Sequence, residues 1–164
     1  MEQQKQQSAN ELQVENCSIF DKTKGIICHQ VNCQGVMGKG LALQIRNKYP
    51  NVYTAYKDYC ASYADDKDHL LGQVQLIGVG PSDDLFVCNV FGQLGYGRDK
   101  RYTDYGAVTR AFRALAGILA RLEERPKVYI PYLMGCGLAG GDWLPYQNAI
   151  KTHIPDATVC KFRP

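Results

Sequence analysis

The stretch Gly25-Ile26-Ile27-Cys28-His29-Gln30-Val31-Asn32 constrains the fold more than any other. It is apolar almost without interruption rather than at alternate positions, so the strand it forms must be covered on both faces. Gly35, Gly38, Lys39 and Gly40 follow at once, and then Leu41 and Ile45 mark a short helix that ends before Pro50. A doubly covered strand that runs through a glycine loop into a helix belongs to a sheet with helices on both sides.

The rest of the chain repeats this grammar. Val52, Ala55, Tyr56, Tyr59, Cys60 and Tyr63 fall at helical spacing, as do Val108, Ala111, Leu115 and Ile118 between Tyr105 and Arg121, with Leu122 just beyond. "LQVENCSIF", "GQVQLIGVG", "LFVCNVFG", "KVYIPYLMG" and "ATVCKF" are expected to be strands, and "DWLPYQNAIKTH" a helix. The turn signal "PSDD" makes the second and third of these strands a hairpin or simple neighbours. No internal repeat or linker divides the chain. We therefore expect an α/β fold with a mixed, mostly parallel central sheet, and ligands beyond the carboxyl ends of its strands. With 164 residues there is room for one domain with its own core. Residues 1–11, opening with "MEQQKQQSAN", are expected to be a disordered tail, and 12–164 a single domain.

Charge and cysteine usage narrow the function. A net charge of +3 is too weak to mark a nucleic-acid binder by itself. Lys22/Lys24, Arg98/Lys100/Arg101 and Lys161/Arg163 are basic groups that are either solvated or part of such a surface. The seven cysteines form no CxxC pair, and His29, His69 and His153 are not spaced as ligands, so no metal, cofactor or disulfide scaffold is expected. Reduced thiols in the cytoplasm fit the pattern. No apolar run reaches the length of a membrane span, and no membrane partner is expected.

Two glycine-rich loops leave strands in the same direction, "NCQGVMGKG" and "MGCGLAGGDW". Glycine lets successive N–H groups converge without a Cβ in the way, and a helix starting just after adds the positive end of its dipole. Each loop alone is equally a tight turn, and neither matches a Walker A or GxGxxG pattern. Together they suggest a clamp on an extended ligand with more than one phosphate. Asp142 precedes a helix, where it caps free N–H groups, contacts substrate, or does both.

The motifs "HQVNCQGVMGKGLALQIRNKYP", "NVFGQ" and "IPYLMGCGLAGGDW" resemble the macro domain family, which binds ADP-ribose. The resemblance is strongest to the branch of terminal ADP-ribose protein glycohydrolases and ADP-ribose 1″-phosphate phosphatases, and it runs from about Leu12 to Phe162. It implies a three-layer α/β/α fold. It places Asn32 at the distal ribose, and Gly35, Val36, Met37, Gly38, Gly40 and Leu41 around the distal ribose and pyrophosphate. It makes Gly135, Cys136, Gly137, Leu138 and Ala139 the phosphate loop, sets Ile19 and Phe162 beside the adenine, and puts Phe91 in the wall near the distal ribose.

Three positions depart from the family pattern. Ser18 stands where many members carry an adenine-reading aspartate. The glycohydrolases use a lysine near "NVFGQ" and an aspartate after "GCGL", where this chain has no lysine and Ala139. A lysine-adduct mechanism is thus not expected. The resemblance implies a hydrolase acting on ADP-ribose 1″-phosphate, or one removing ADP-ribose from modified protein or nucleic acid. Asp142 would position the water, with His29 and Asn32 orienting it. His29 is otherwise a hydrogen-bonded core residue, and Cys136 packs its loop rather than acting as nucleophile. A non-catalytic ADP-ribose reader is the alternative. A more distant one is a nucleic-acid-binding module using "GRDKRY" with Tyr96 and Tyr102.

Overall fold

A computed structural model describes residues 11–162. The expected tail therefore lies outside the described residues except for Glu11, as does Arg163 of the last basic group. Six strands form one sheet in the order β1-β6-β5-β2-β4-β3. They are β1 (Gln13–Glu15), β2 (Gly25–Asn32), β3 (Val74–Gly78), β4 (Leu85–Gln93), β5 (Val128–Pro131) and β6 (Thr158–Cys160). All neighbours pair in parallel except β3, which runs antiparallel to β4. The helices are α1 (Gly40–Lys48), α2 (Pro50–Ser62), the single turn α3 (Lys67–Leu70), α4 (Tyr105–Ala120) and α5 (Trp143–His153).

Alternate residues of the central strands feed two separate cores, as the doubly apolar pattern requires. Ile27 and Val31 of β2, with Val87 and Phe91 of β4, pack against Ile45 of α1 and Val52, Tyr56 and Cys60 of α2. Ile26, Cys28, Cys88 and Val90 face the other way, onto Val108, Phe112 and Leu115 of α4 and Tyr146 and Ile150 of α5. The result is a three-layer α/β/α sandwich. Among the described residues no helix is long and apolar enough to cross a membrane, and no cluster of three metal-ligating side chains occurs.

The structure shortens several expected strands, two of them at local turns. "LQVENCSIF" forms only three strand residues. Ser18 then accepts from the N–H of Phe20 (3.1 Å) while its own N–H donates to Asp21 (3.3 Å), a capping box that folds Ile19–Asp21 into a 3-10 turn. "KVYIPYLMG" stops at Pro131, and Leu133 takes a left-handed φ of 62° as the chain turns. "PSDD" resolves as the turn of a β3–β4 hairpin. Pro50 occupies the first turn of α2, where its missing N–H costs nothing, so one proline ends α1 and starts α2.

Candidate functional site

A cavity of about 650 Å³ opens beyond the carboxyl ends of β2, β4 and β5. Its walls come from Gln30–Asn32, from Val36 and Gly38–Ala42, from Gln93 and Tyr96–Arg98, and from Pro131–Ala139 without Cys136. Because these three strands are parallel, their exits lie at one edge and bring four chain segments together.

Asn32 organises the first loop. Its Nδ2 donates to the carbonyl of Val36 (2.8 Å), and its Oδ1 accepts from the N–H of Gln34 (2.9 Å) and from the buried Tyr56 hydroxyl (2.8 Å). Gly35 and Gly40 take φ of +80° and +60°, which a side chain would resist. Lys39 precedes α1 without capping it, and among the described residues no acceptor takes the N–H groups of Gly40, Leu41 and Ala42. All three residues line the cavity, so the N-terminus of α1 presents unused donors there.

The second loop is pinned at its base. The carbonyl of Gly135 (φ +75°) accepts from the Gly141 N–H (2.9 Å) and the Thr103 hydroxyl (2.6 Å), and the carbonyl of Ala139 accepts from the N–H groups of Tyr102 and Thr103. Among the described residues no acceptor takes the N–H groups of Gly137, Leu138 and Ala139. Leu138 reaches across to the first loop, its Cδ1 lying 3.4 Å from where a Cβ on Gly40 would sit. Gln30 forms a floor between the walls. Its Nε2 donates to Gln93 (2.9 Å) and Thr103 (3.0 Å), and its Oε1 accepts from the Tyr146 hydroxyl (3.1 Å).

The cavity's charge is one-sided. Among the described residues Lys39 and Arg98 are the cations that line it, and no aspartate, glutamate, histidine or cysteine does. Free N–H donors, two cations and no carboxylate suit a polyanion.

Of the residues expected at the site, Asn32, Val36, Gly38, Gly40, Leu41, Gly135, Gly137, Leu138 and Ala139 line the cavity. Asn32 spends its amide on the first loop rather than offering it as an orienting group. Gly35 sets the loop's turn from behind, and Met37 is buried in the α1–α2 core. Phe91 is not a wall residue but a fully buried partner of Tyr56 and Tyr59, and Gln93 occupies the wall instead. Ser18 is spent on its capping box, Ile19 is core, and Phe162 is exposed outside the cavity. Cys136 donates to the Met134 carbonyl, and burial, with Asp142 nearby, pushes its thiol up to about 11, which suits packing and not nucleophilic attack.

The two proposed acid–base groups stand elsewhere. His29 is 1% exposed under α2, its Nε2 2.5 Å from Asn89 Oδ1. Asn89 donates to Gln75, and Gln75 to the Ala55 carbonyl. Burial holds its pKa down at about 4. It is the core histidine of the two readings. Asp142 is at the N-cap position of α5, but its exposed carboxylate makes no capping bond and does not line the cavity. Its N–H instead donates to Tyr105 (2.7 Å). Sequence reasoning missed Gln30, Gln93, Arg98, Tyr132 and Leu133 as lining residues. Arg98 had a signal, as part of a basic, tyrosine-bearing segment that the structure sets at the cavity mouth.

The α/β/α sandwich with its two-loop cavity is the fold of a macrodomain, and comparison with known proteins agrees. No family model matches the chain. The macrodomain protein of Streptomyces coelicolor superposes with a TM-score of 0.72 at 28% identity, over 94% of this chain and 99% of that one. The ADP-ribose 1″-phosphate phosphatase of Meyerozyma guilliermondii is 30% identical over 110 residues, 62% of each protein. The DNA ADP-ribosyl glycohydrolase of Mycobacterium tuberculosis is 53% identical over 34 residues, 21% of this chain and 10% of that protein. The chain thus spans less than two thirds of the length of the curated relatives it matches. It has the macrodomain fold, and its sequence is similar to proteins of both hydrolytic groups.

Proposed function

We propose that the cavity binds ADP-ribose and that the protein hydrolyses ADP-ribose 1″-phosphate to ADP-ribose and phosphate. One observation carries the choice: the lining has two cations and free N–H donors but no carboxylate. Cleaving a glycosidic bond by the usual route needs a pair of carboxyl groups about the anomeric carbon. Phosphoryl transfer asks less of the protein's side chains, because catalysis there is mostly positioning and stabilisation of charge on the phosphoryl oxygens. Water adds to phosphorus, the P–O1″ bond breaks, and a proton from the water ends on the ribose oxygen. Amides of the two loops, Lys39 and Arg98 would hold the diphosphate and the transferring group, and the apolar walls would exclude bulk water.

The absence of a base from the lining also favours a second reading, a reader that binds ADP-ribose without turning it over. Tyr96 and Arg98 at the mouth, continuing into Lys100 and Arg101, would suit ADP-ribose carried on a nucleic acid. The described cysteines are free thiols, which fits the cytoplasm. Calorimetric titration with ADP-ribose, followed by phosphate release from ADP-ribose 1″-phosphate, separates these readings. Binding with release supports the hydrolase, and binding without release leaves the reader. No heat at millimolar ADP-ribose would overturn both.

A further inference from the structure

The second loop is held by a residue that lines no part of the cavity. Thr103 is 2% exposed, on the segment just before α4, and forms an isolated bridge to Gln93. Its hydroxyl has one proton and gives it to the Gly135 carbonyl (2.6 Å), while accepting from Gln30 Nε2 (3.0 Å). The other Gln30 donor goes to Gln93 Oε1 (2.9 Å), and Gln93 Nε2 goes on to the Gly95 carbonyl (2.8 Å). A continuous chain of side-chain hydrogen bonds thus crosses beneath the cavity from the base of the 135–141 loop to the segment carrying Tyr96 and Arg98. Packing leaves this chain little room. A Cβ on Gly92 or Gly135 would come within 2.6 Å of Gln30 Oε1, and one on Gly141 within 3.1 Å of Thr103 Cβ.

We propose that Thr103 is a positioning residue: its hydroxyl ties the Gly135 carbonyl to Gln30 and so keeps the free amides of Gly137–Ala139 aimed into the cavity at the angle a phosphate needs. The inference rests on the ADP-ribose reading for its ligand. The glycine pattern does not point to this residue; the hydrogen-bond chain does.

Thr103→Val keeps the shape and removes the hydroxyl, leaving the Gln30 donor and one acceptor site of Gly135 unpaired. Thr103→Ser restores the hydroxyl. Calorimetry with ADP-ribose is run at a temperature where thermal melts show all three proteins folded, with hydrogen exchange read at residues 136–139 without ligand. The expected result is affinity about tenfold weaker in Thr103→Val at unchanged stoichiometry, faster exchange in the loop, and recovery to within about threefold of wild type in Thr103→Ser. Wild-type affinity in Thr103→Val would overturn the proposal and leave the ADP-ribose reading intact. A reduced stoichiometry at wild-type affinity would also overturn it, since that marks only lost folded protein. Failure of the wild type itself to bind would overturn the ADP-ribose reading and the role built on it.

Discussion

His29 makes acid stability the sharpest quantitative test of the core. The ring is 1% exposed, its Nδ1 has no hydrogen-bond partner among the described residues, and burial depresses its pKa from 6.5 to about 4 against the smaller opposing effect of Asn89. The folded protein therefore keeps it neutral while the unfolded chain protonates it near pH 6.5. Between those values the unfolded state binds more protons, so stability is fully present above pH 6.5 and is lost as pH falls towards 4. At about 1.4 kcal/mol per pH unit the whole gap amounts to about 3 kcal/mol, of which about 2 kcal/mol is lost between pH 7 and pH 5. For a domain of this size that is a fall in melting temperature of roughly 4–8 °C. The assay is urea unfolding at pH 7, 6 and 5 for the wild type and for His29→Gln, whose amide can still bond Asn89 but cannot titrate. The wild type should lose about 2 kcal/mol more than the variant over that range. Parallel losses in the two proteins would refute the reasoning, because the acid sensitivity would then belong to other groups.

Three further predictions concern the cavity. Gly135→Ala forces a Cβ into a left-handed φ and to 2.6 Å from both Gln30 Oε1 and the Tyr146 ring, so it should cost about 2 kcal/mol or more and abolish ADP-ribose binding; a melt and a titration read the two effects separately. Arg98→Ala removes an exposed cation at the mouth and should raise the KM for ADP-ribose 1″-phosphate about fivefold with the melting temperature unchanged, whereas an unchanged KM would remove Arg98 from recognition. Asp142→Asn should leave phosphate release within about twofold of wild type, since its carboxylate does not line the cavity. Lost turnover with intact ADP-ribose binding would return Asp142 to the chemistry.

The fold was legible because its strongest signal is a pattern that only one arrangement satisfies. The apolar residues Ile26, Ile27, Cys28 and Val31 of β2 point to both faces and demand cover on each, and the helical spacing of α2 and α4 supplies it, with Tyr56 and Phe112 fully buried on opposite sides. What failed lay at element ends. Capping by Ser18 is a local competition between side chain and ladder that apolar periodicity does not register, and Leu133 adopts a conformation its residue type disfavours because the turn after Pro131 imposes it.

The site divides in the same way. Its backbone could be read, since glycines at 35, 40 and 135 announce positive φ, and those loops do form the cavity's edges. Its chemistry could not, because proximity in the chain says nothing about which face of a strand a side chain takes. His29 and Gln30 are neighbours in β2, yet the pleat sends the first under α2 and the second to the cavity floor. The residue type with the richer chemistry is thus buried away from the cavity, and an amide without acid–base function forms its floor. The cavity that results has donors and cations but no proton acceptor of carboxylate or imidazole type, so if it turns over a substrate, the proton must move through water and the phosphoryl oxygens themselves. A turnover rate set by the free donors of the two loops, insensitive to removal of Asp142 or His29 from the folded protein, is the kinetic form of that argument.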